Sequence, residues 1–157
     1  MKPATASSAL RIQAALGPAF EVLEFDESTR TAADAAAAIG CTVAQIAKSM
    51  IFRAEKSGRS VLVVASGPVR VSESKVSALL GESIGRADAN FVRENTGFAI
   101  GGVPPIGHAV APVVFIDATL QTFDSLWAAA GTPNAVFQLT PAQLTSLTGG
   151  TVADVSA

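Results

Sequence analysis

The chain is poor in the residues that build disulfides, metal centres and membrane spans. Its 157 residues include one cysteine, Cys41, and one histidine, His108. A single cysteine excludes an internal disulfide and agrees with a reducing cytoplasm, and one cysteine with one histidine cannot form a zinc site. No apolar run approaches the roughly 20 residues of a membrane-spanning helix, and the first residues lack the apolar core of a signal peptide. We therefore expect a cytoplasmic protein without a metal centre.

Charged residues are also scarce, and they are unevenly spread. They make up 15% of the chain, whereas about 25% is usual. The formal net charge is −2, all eleven lysines and arginines lie at or before Arg93, and only acids follow it. If the chain binds RNA, its N-terminal part must therefore contact the phosphates. The alternative is an ordinary scatter of surface charge.

Several familiar catalytic signatures are missing as well. The sequence contains no Gly-x-Ser-x-Gly, no Gly-x-Gly-x-x-Gly, no Walker pattern and no recognisable pair of glycosidase carboxylates. An enzyme with this sequence would have to work mainly by positioning its substrate and by the dipoles of its backbone.

Short helical and strand patterns follow one another along the chain, with no repeat, low-complexity linker or domain boundary. The predicted strands cover residues 20–25, 49–54, 60–65, 69–71, 82–87, 111–117 and 135–139, with a last one near Val152 and Val155. The predicted helices cover residues 8–16, 32–39, 73–80, 89–95, 123–130 and 141–147, with a further short one after the capping-box pair Thr42 and Gln45. Their predicted N-caps are Ser7 or Ser8, Thr31, Ser72, Asp88 and Thr140. Together these elements predict one domain, residues 1–157, of the α/β or α+β class around a mixed sheet.

Residues 96–108 are the most distinctive segment. They contain four of the thirteen glycines, two adjacent prolines and the histidine, and no other charged or titratable side chain. Glycine allows a ligand to approach the backbone closely, and proline stiffens the loop. The segment therefore suits a rigid apolar loop that presents backbone N–H groups to a small substrate. The alternative is a strand and a tight turn between core strands.

Two single residues are candidates for chemistry, each with a structural alternative. Lys48 enters an apolar strand, so its ammonium group either points to the surface or stands at the rim of a pocket, where it could bind a substrate oxygen. His108 could be a general base or a donor that orients a ligand, or it could be a structural side chain with its own hydrogen bond.

Three segments form a recognisable set, namely residues 28–32 before an alanine-rich helix, residues 45–52 around Lys48, and residues 96–108. Together they resemble the YbaK family, also called the prolyl-tRNA synthetase-associated or INS-type editing domain. Residues 65–67, 130–133 and 139–144 support the resemblance, and the matches run over nearly the whole chain in the family's order.

The resemblance implies a compact α/β domain with a mixed, barrel-like sheet surrounded by short helices. It also implies a free-standing deacylase that hydrolyses the ester of a mischarged tRNA, with Cys-tRNA(Pro) and Ala-tRNA(Pro) as the known classes. Such enzymes use no metal or cofactor. Their partner is the 3′ end of the tRNA, and a prolyl-tRNA synthetase could provide further tRNA recognition.

The resemblance also assigns residues to roles. Lys48 is expected to bind near the 3′-terminal adenosine or its phosphate, and the loop from Gly101 to Pro105 is expected to hold the aminoacyl group. The candidate catalytic residues are Lys48, Gly101 and Gly102. The candidate substrate-binding residues are Phe25, Thr31, Ser66, Val103, Pro104, Pro105, His108 and Thr132.

Some features depart from the family pattern and leave alternatives open. Some relatives have an acid in the strand after the Gly131 turn, where this chain has Ala135, Val136 and Phe137, and some have another residue at the position of His108. One alternative is a non-catalytic module of the same fold that binds a tRNA end or a small metabolite. Another is a hydrolase of free amino-acid esters or amides.

Overall fold

Nine strands and five α-helices make up most of the computed structural model, which describes residues 1–27, 29 and 31–157. The strands are β1 (Lys2–Pro3), β2 (Val22–Glu24), β3 (Ile46–Ala54), β4 (Ser60–Ser66), β5 (Ile84–Arg86), β6 (Val113–Asp117), β7 (Leu126–Ala129), β8 (Ala135–Leu139) and β9 (Thr151–Ala153). The helices are α1 (Ser7–Leu16), α2 (Ala32–Ile39), α3 (Glu73–Leu80), α4 (Ala89–Thr96) and α5 (Pro141–Thr148). Two 3-10 helices occupy Val43–Gln45 and Ala118–Thr122. Of the first segment that carries the family resemblance, Ser28 and Arg30 lie outside the described residues.

All nine strands belong to one mixed sheet. The strand order is β1-β2-β8-β7-β3-β4-β6-β9, and β5 also pairs with β3. The pairs β3–β7, β4–β6 and β6–β9 are parallel, whereas the other pairs are antiparallel. The predicted α/β architecture around a mixed sheet is therefore confirmed.

Strand β4 lies at the centre of the core, as its unbroken apolar sequence predicts. All seven of its residues are buried. Val61 and Val63 contact the cluster under α3, whereas Leu62 and Val64 contact the larger cluster that includes α1 and α5. Because successive side chains of a strand point to opposite faces, β4 joins the two apolar clusters.

Most helix ends follow the sequence signals. The side chains of Thr31, Ser72, Asp88 and Thr140 each accept a backbone N–H at the start of their helix, as predicted. The prediction for α1 is wrong, because Ser7 and Ser8 lie inside the helix and Ala6 is its N-cap. Within the described part of the chain, no helix has the length and apolar character to span a membrane.

The start of α1 is held instead by a carboxylate from the sheet. Glu24 on β2 accepts the backbone N–H groups of Thr5 and Ala6. A negative charge is favourable near the N-terminus of a helix, and these two bonds lower the pKa of Glu24. A partner this distant in sequence gives no local signal for an N-cap.

The predicted helix at residues 123–130 is wrong, because this segment contains strand β7. Leu126 and Ala128 are buried, whereas Trp127 and Ala129 are partly exposed. This alternation is the period of a strand. The strand pairs with β8 on one side and with β3 on the other, and these long-range contacts override the helical preference of the alanines.

Two other short elements also differ from the prediction. The predicted strand at residues 69–71 is irregular backbone with a single bridge between Val71 and Ser156. Strand β1 was not predicted, and it pairs with β2 through Lys2 and Pro3. Both elements are too short to have a recognisable pattern of their own.

Phe137 provides a test of the core beside β7. Its side chain is completely buried and contacts the edge of the Phe20 ring, at a centroid distance of 6.1 Å. We expect Phe137→Ala to lower the free energy of unfolding by roughly 3–5 kcal/mol, because it leaves a cavity. We expect Leu79→Ala, at a position that is 45% exposed, to cost less than about 1 kcal/mol. Urea denaturation measures both, and equal losses would contradict this assignment of the core.

Candidate functional site

The middle of β3 lies at a gap in the sheet. One edge of β3 pairs with β4 over residues 47–53. The opposite edge pairs with β7 at Ile46 and Ala47, and with β5 at residues 52–54. In the part of the chain that the structure describes, no strand pairs with residues 48–51 on this second edge. This part of β3 can therefore line cavities.

A cavity of about 240 Å³ opens at the β7 side of the gap. It lies between β3, β7, the start of α2, the loop at residues 101–103 and the turn at residues 131–134. The described residues that line it are Thr29, Thr31, Ala32, Ala35, Ile46, Ala47, Lys48, Ser49, Gly101, Val103, Trp127, Ala128, Ala129, Thr132, Pro133 and Ala135. Six of these are alanines, and Lys48 is the one charged side chain among them. The cavity therefore suits a small, largely apolar group beside a cation.

Lys48 is held at the edge of this cavity by a turn that follows β4. Its ammonium Nζ donates to the carbonyl oxygens of Gly67 and Val69, at 3.0 and 2.7 Å. An ammonium group has three N–H donors, so these two bonds leave one donor for a further partner. Lys48 thus occupies the rim of a pocket, one of the two positions that the sequence allows, whereas its chemical role stays a prediction.

Two opposing effects act on the charge of Lys48. Burial lowers the pKa of its ammonium group, and the negative charge of Asp117 opposes this only in part. Asp117 ends β6 and is 1% exposed. Its two carboxylate oxygens accept the backbone N–H groups of Ser66, at 3.0 Å, and Thr119, at 2.9 Å. The positive charge of the ammonium group is therefore compensated by hydrogen bonds to two backbone carbonyls and by the negative charge of a buried acid.

Ser66 was predicted as part of the pocket wall, but the structure places it behind the turn that holds Lys48. It is completely buried and is not among the residues that line the 240 Å³ cavity. Its Oγ donates to the carbonyl of Ala44 at 2.6 Å, and its own carbonyl accepts the N–H of Val69 at 2.9 Å. Ser66 therefore anchors residues 66–69, which we call the 66–69 turn.

The loop with the paired glycines forms another wall of the cavity. The carbonyl of Ala99 accepts the N–H of Gly102 at 3.2 Å, with Gly101 between them at φ +99°, as in a type II turn. The carbonyl of Gly102 accepts the N–H of Gly131 at 3.0 Å. Because the Gly102 N–H is engaged within the loop, it must leave Ala99 before it can reach a substrate. Its predicted role as a donor therefore stays a prediction.

The structure brings several of the predicted residues to the same cavity. Those that line it are Lys48, Gly101, Thr31, Val103 and Thr132. The hydroxyl of Thr31 accepts the N–H of Asp34 at 3.1 Å, and the hydroxyl of Thr132 donates to Asn134 Oδ1 at 2.8 Å. Both threonines thus have a structural partner and still face the cavity.

Phe25 lies outside this group. Its side chain is buried at the edge of a separate cavity of about 610 Å³, beside the acids Asp26, Glu27 and Asp34. Its backbone N–H donates to the Asn134 carbonyl at 2.8 Å, and its carbonyl accepts the Asn134 side-chain amide at 3.1 Å. Phe25 is therefore linked to the cavity through the turn at residues 131–134.

Pro104, Pro105 and His108 also lie away from the cavity that holds Lys48. The ring Nε2–H of His108 donates to the Pro104 carbonyl at 2.7 Å. His108 and Pro105 line a different cavity, of about 220 Å³, beside α5. One ring nitrogen of His108 thus has a structural partner, whereas Nδ1 is buried without a hydrogen-bond partner among the described residues, and its predicted role in binding stays a prediction. Among the described residues, no group of three or more His, Cys, Asp or Glu side chains could hold a metal ion.

A second cavity of about 420 Å³ adjoins the first at the β5 side of the gap. It is mainly apolar, and Arg86 and Glu73 are the charged residues in its lining. The two cavities share Ser49, Gly101 and Val103. The Ser49 hydroxyl is buried and has no hydrogen-bond partner among the described residues. Sequence reasoning missed Ser49, although a hydroxyl next to Lys48 in an apolar strand was a visible signal.

These features agree with the family to which the protein belongs. The chain is a member of the aminoacyl-tRNA editing domain family, whose model matches residues 26–147. Membership confirms the resemblance to YbaK-type domains and supports aminoacyl-tRNA editing, with binding of tRNA, as the general function.

Three similar proteins illustrate the range of the family. YwhH of Bacillus subtilis (strain 168), a protein described as uncharacterized, is 37% identical over 124 residues, which cover 79% of this chain and 78% of YwhH. A crystal structure described as a candidate trans-editing enzyme for prolyl-tRNA synthetase is 44% identical, with a TM-score of 0.92 and coverage of 98% and 99% of the two chains. The crystal structure of the hypothetical protein APE2540 is 32% identical, with a TM-score of 0.85 and coverage of 96% and 100%.

Substitution of Gly102 tests the close contact between its backbone and that of Thr132, which joins two walls of the cavity. A Cβ at this position would lie 2.8 Å from the Cα and carbonyl carbon of Thr132. We expect Gly102→Ala to separate the loop from the turn, to lower the free energy of unfolding by about 1–3 kcal/mol, and to change the fluorescence of Trp127 in the cavity wall. The control is Gly149→Ala, because Gly149 has φ +64° but no atom within 4 Å of the point that a Cβ would occupy. An unchanged Trp127 signal in Gly102→Ala would contradict this contact.

The burial of the His108 ring predicts that the free energy of unfolding depends on pH. Burial lowers its pKa, and the bond to the Pro104 carbonyl opposes this only in part. In the unfolded chain the pKa of a histidine is about 6.5. As the pH falls below this value, the unfolded state takes up the proton first, so stability decreases until the lower pKa of the folded state is reached. We expect His108→Gln to remove this part of the slope in urea denaturation between about pH 7.5 and about pH 5. An identical slope in the variant would contradict the burial of a neutral ring.

Proposed function

We propose that the protein is an aminoacyl-tRNA deacylase that hydrolyses the ester of a mischarged tRNA of the Cys-tRNA(Pro) or Ala-tRNA(Pro) class. The observation that carries the proposal is the 240 Å³ cavity, with Lys48 in its lining, the ammonium group of Lys48 held by two backbone carbonyls, and the Gly101 loop as its wall. Family membership supports editing in general, and a relative described as a trans-editing enzyme for prolyl-tRNA synthetase supports the class of tRNA. An activity on tRNA implies a cytoplasmic protein.

The lining of the cavity supports a small, largely apolar aminoacyl group. Alanine side chains from α2, β3, β7 and β8 form much of its surface. Binding distinguishes side chains that differ by one methylene by only about 1–3 kcal/mol. A second, hydrolytic site that excludes the larger cognate amino acid therefore adds selectivity after charging. Alanine or cysteine would enter this space, and proline would have to be rejected by the shape of the wall, because its ring is close in volume to a cysteine side chain.

The adjoining cavity gives a place for the nucleoside. In an aminoacyl-tRNA the amino acid is esterified to the ribose of the terminal adenosine, so the two groups must occupy neighbouring sites. The 420 Å³ cavity shares Ser49, Gly101 and Val103 with the smaller one, and its wall is mainly apolar. The flat faces of a purine base would pack against this apolar wall. The Ser49 hydroxyl, which has no partner among the described residues, would contact the ribose or the ester.

The chemistry then requires a fixed positive charge rather than a protein nucleophile. The third N–H of Lys48 would stabilise the oxygen that becomes negative as the ester carbonyl is attacked, or it would bind the terminal phosphate. The attacking group would be a water molecule, which a ribose hydroxyl of the tRNA would help to deprotonate, or the thiol of a cysteinyl substrate, which would leave the ribose as a thiolactone. With water, a C–O bond forms to the carbonyl carbon, the ester C–O bond breaks, and the ribose oxygen takes the proton. This scheme needs no metal ion.

A non-catalytic module that binds a tRNA end is the second candidate. It is favoured by one observation: among the described residues that line the small cavity, Lys48 is the one titratable side chain, so none of them is a general base at neutral pH. Such a module would show saturable binding without turnover. A synthetase partner would then provide both the tRNA and the chemistry.

Deacylation of Ala-, Cys-, Ser- and Pro-tRNA(Pro) by the wild type and by Lys48→Ala tests the proposal. We expect release of one non-cognate amino acid by the wild type, and a loss of roughly 10²–10³-fold in rate in the variant, as for other fixed donors of this kind. The control is Lys56→Ala, because Lys56 lies in the exposed turn at the far end of β3. Folded wild-type protein that binds these tRNAs but releases no amino acid would support the binding module and contradict the deacylase.

A further inference from the structure

The 66–69 turn holds Lys48, so what holds the turn also determines where the ammonium group lies. The carbonyls of Gly67 and Val69 both accept hydrogen bonds from Lys48. The backbone N–H of Ser66, the first residue of the turn, donates to Asp117 Oδ2 at 3.0 Å. This last bond joins the end of β4 to the end of β6. A chain of two hydrogen-bonded contacts therefore connects Asp117 with Lys48.

The turn is also fixed on its other side. The Ser66 hydroxyl donates to the Ala44 carbonyl, and a Cβ at Gly67 would lie 2.3 Å from the Val43 carbonyl oxygen. The backbone of Gly67 is thus in close contact with the 3-10 helix Val43–Gln45. With this helix on one side and Asp117 on the other, the two acceptor carbonyls have little freedom to move.

Asp117 has a simpler structural alternative, which is that it only starts the 3-10 helix Ala118–Thr122. Its Oδ1 does accept the N–H of Thr119. A side chain with that role alone would not need to be 1% exposed, since burial of a carboxylate is unfavourable unless each oxygen is compensated. The second oxygen accepts the N–H of Ser66 on the neighbouring strand β4, a contact that the structural alternative leaves unexplained.

The other charged groups near Lys48 lie at an open cavity or on the exposed surface, whereas Asp117 is buried. Arg70 and Glu73 line an open cavity of about 410 Å³ together with Lys48. Asp154 follows the β9 residue that pairs with Asp117, but it is exposed and forms an ion pair with Lys75 at 2.8 Å. Among the described residues, Asp117 is thus the buried acid on this side of Lys48, and its charge is the one that opposes the effect of burial on the ammonium group.

We propose that Asp117 is a positioning residue for Lys48. It fixes the 66–69 turn, whose carbonyls orient the ammonium group, and its negative charge stabilises the protonated form of Lys48. The effect on catalysis rests on the proposed function, whereas the effects on the position and charge of Lys48 do not.

The variant Asp117→Asn tests both parts, with Glu82→Gln as a matched control. Glu82 is also a carboxylate that accepts two backbone N–H groups, those of Lys56 and Ser57, but at the opposite end of β3. In Asp117→Asn we expect kcat for deacylation to fall about tenfold, the effect of losing one hydrogen bond to an ionised group, with little change in KM. The alkaline limb of the pH–rate profile should also move to lower pH. We expect neither change in Glu82→Gln.

A readout without catalysis separates this inference from the proposed function. Titration of the Lys48 side-chain resonances by NMR should show a lower pKa of the ammonium group in Asp117→Asn than in the wild type and in Glu82→Gln. If the wild type releases no amino acid from tRNA, the proposed function is wrong, but this titration still tests Asp117. An unchanged Lys48 titration in folded Asp117→Asn would overturn the inference.

A second variant decides the question if Asp117→Asn does not fold. Asp117→Glu keeps the negative charge and displaces the carboxylate from the backbone N–H of Ser66. We expect lower kcat and altered Lys48 resonances, because the turn is loosened, with a smaller change in the pKa of Lys48 than in Asp117→Asn, because the charge remains. If folded Asp117→Glu leaves both kcat and the Lys48 resonances as in the wild type, Asp117 does not fix the turn and the inference is wrong.

Discussion

The site depends on one constraint in the sheet, namely that a single edge of β3 has different strand partners at its two ends. Parallel β7 takes the start of that edge and antiparallel β5 takes its end. Residues 48–51 between them span about 13 Å at the rise of an extended strand. Loops and cavities occupy this interval instead of another strand. Because β4 holds the opposite edge along nearly its whole length, the gap stays open without weakening the centre of the sheet.

This arrangement explains how a site can form without a recognisable catalytic signature. Small side chains and backbone surround the 240 Å³ cavity, and the contact between Gly102 and Thr132 is a contact of main chains. Such walls have few side-chain rotamers and are therefore rigid. The proposed function would use this rigidity to exclude larger groups by shape, which needs no charged recognition group, and Lys48 is the one charged side chain among the described residues of the lining.

Local sequence signals predicted the parts of the site that have local causes. Lys48, the glycine-rich loop, and the caps of α2 and α5 all follow from residues next to one another in sequence. Strand β7 could not be predicted in this way. Its alanines favour a helix, and only its pairing with β3 and β8 makes it a strand. Ser66 and His108 were assigned to the pocket from their position in motifs, whereas contacts with Ala44 and Pro104 place them in supporting positions. No pattern of neighbouring residues in the sequence indicates these contacts.

The separation of Lys48 from Asp117 has a physical advantage over a direct ion pair. A carboxylate in contact with the ammonium group would take the third N–H and would hold most of its charge in the pair. Here the acid is bonded to backbone N–H groups and the ammonium group to backbone carbonyls, and the described residues show no ion pair between them. The attraction still acts across the partly buried space, where it is screened less than in water. Asp117 therefore opposes the effect of burial on the charge of Lys48 and leaves the third N–H of the ammonium group without a carboxylate partner.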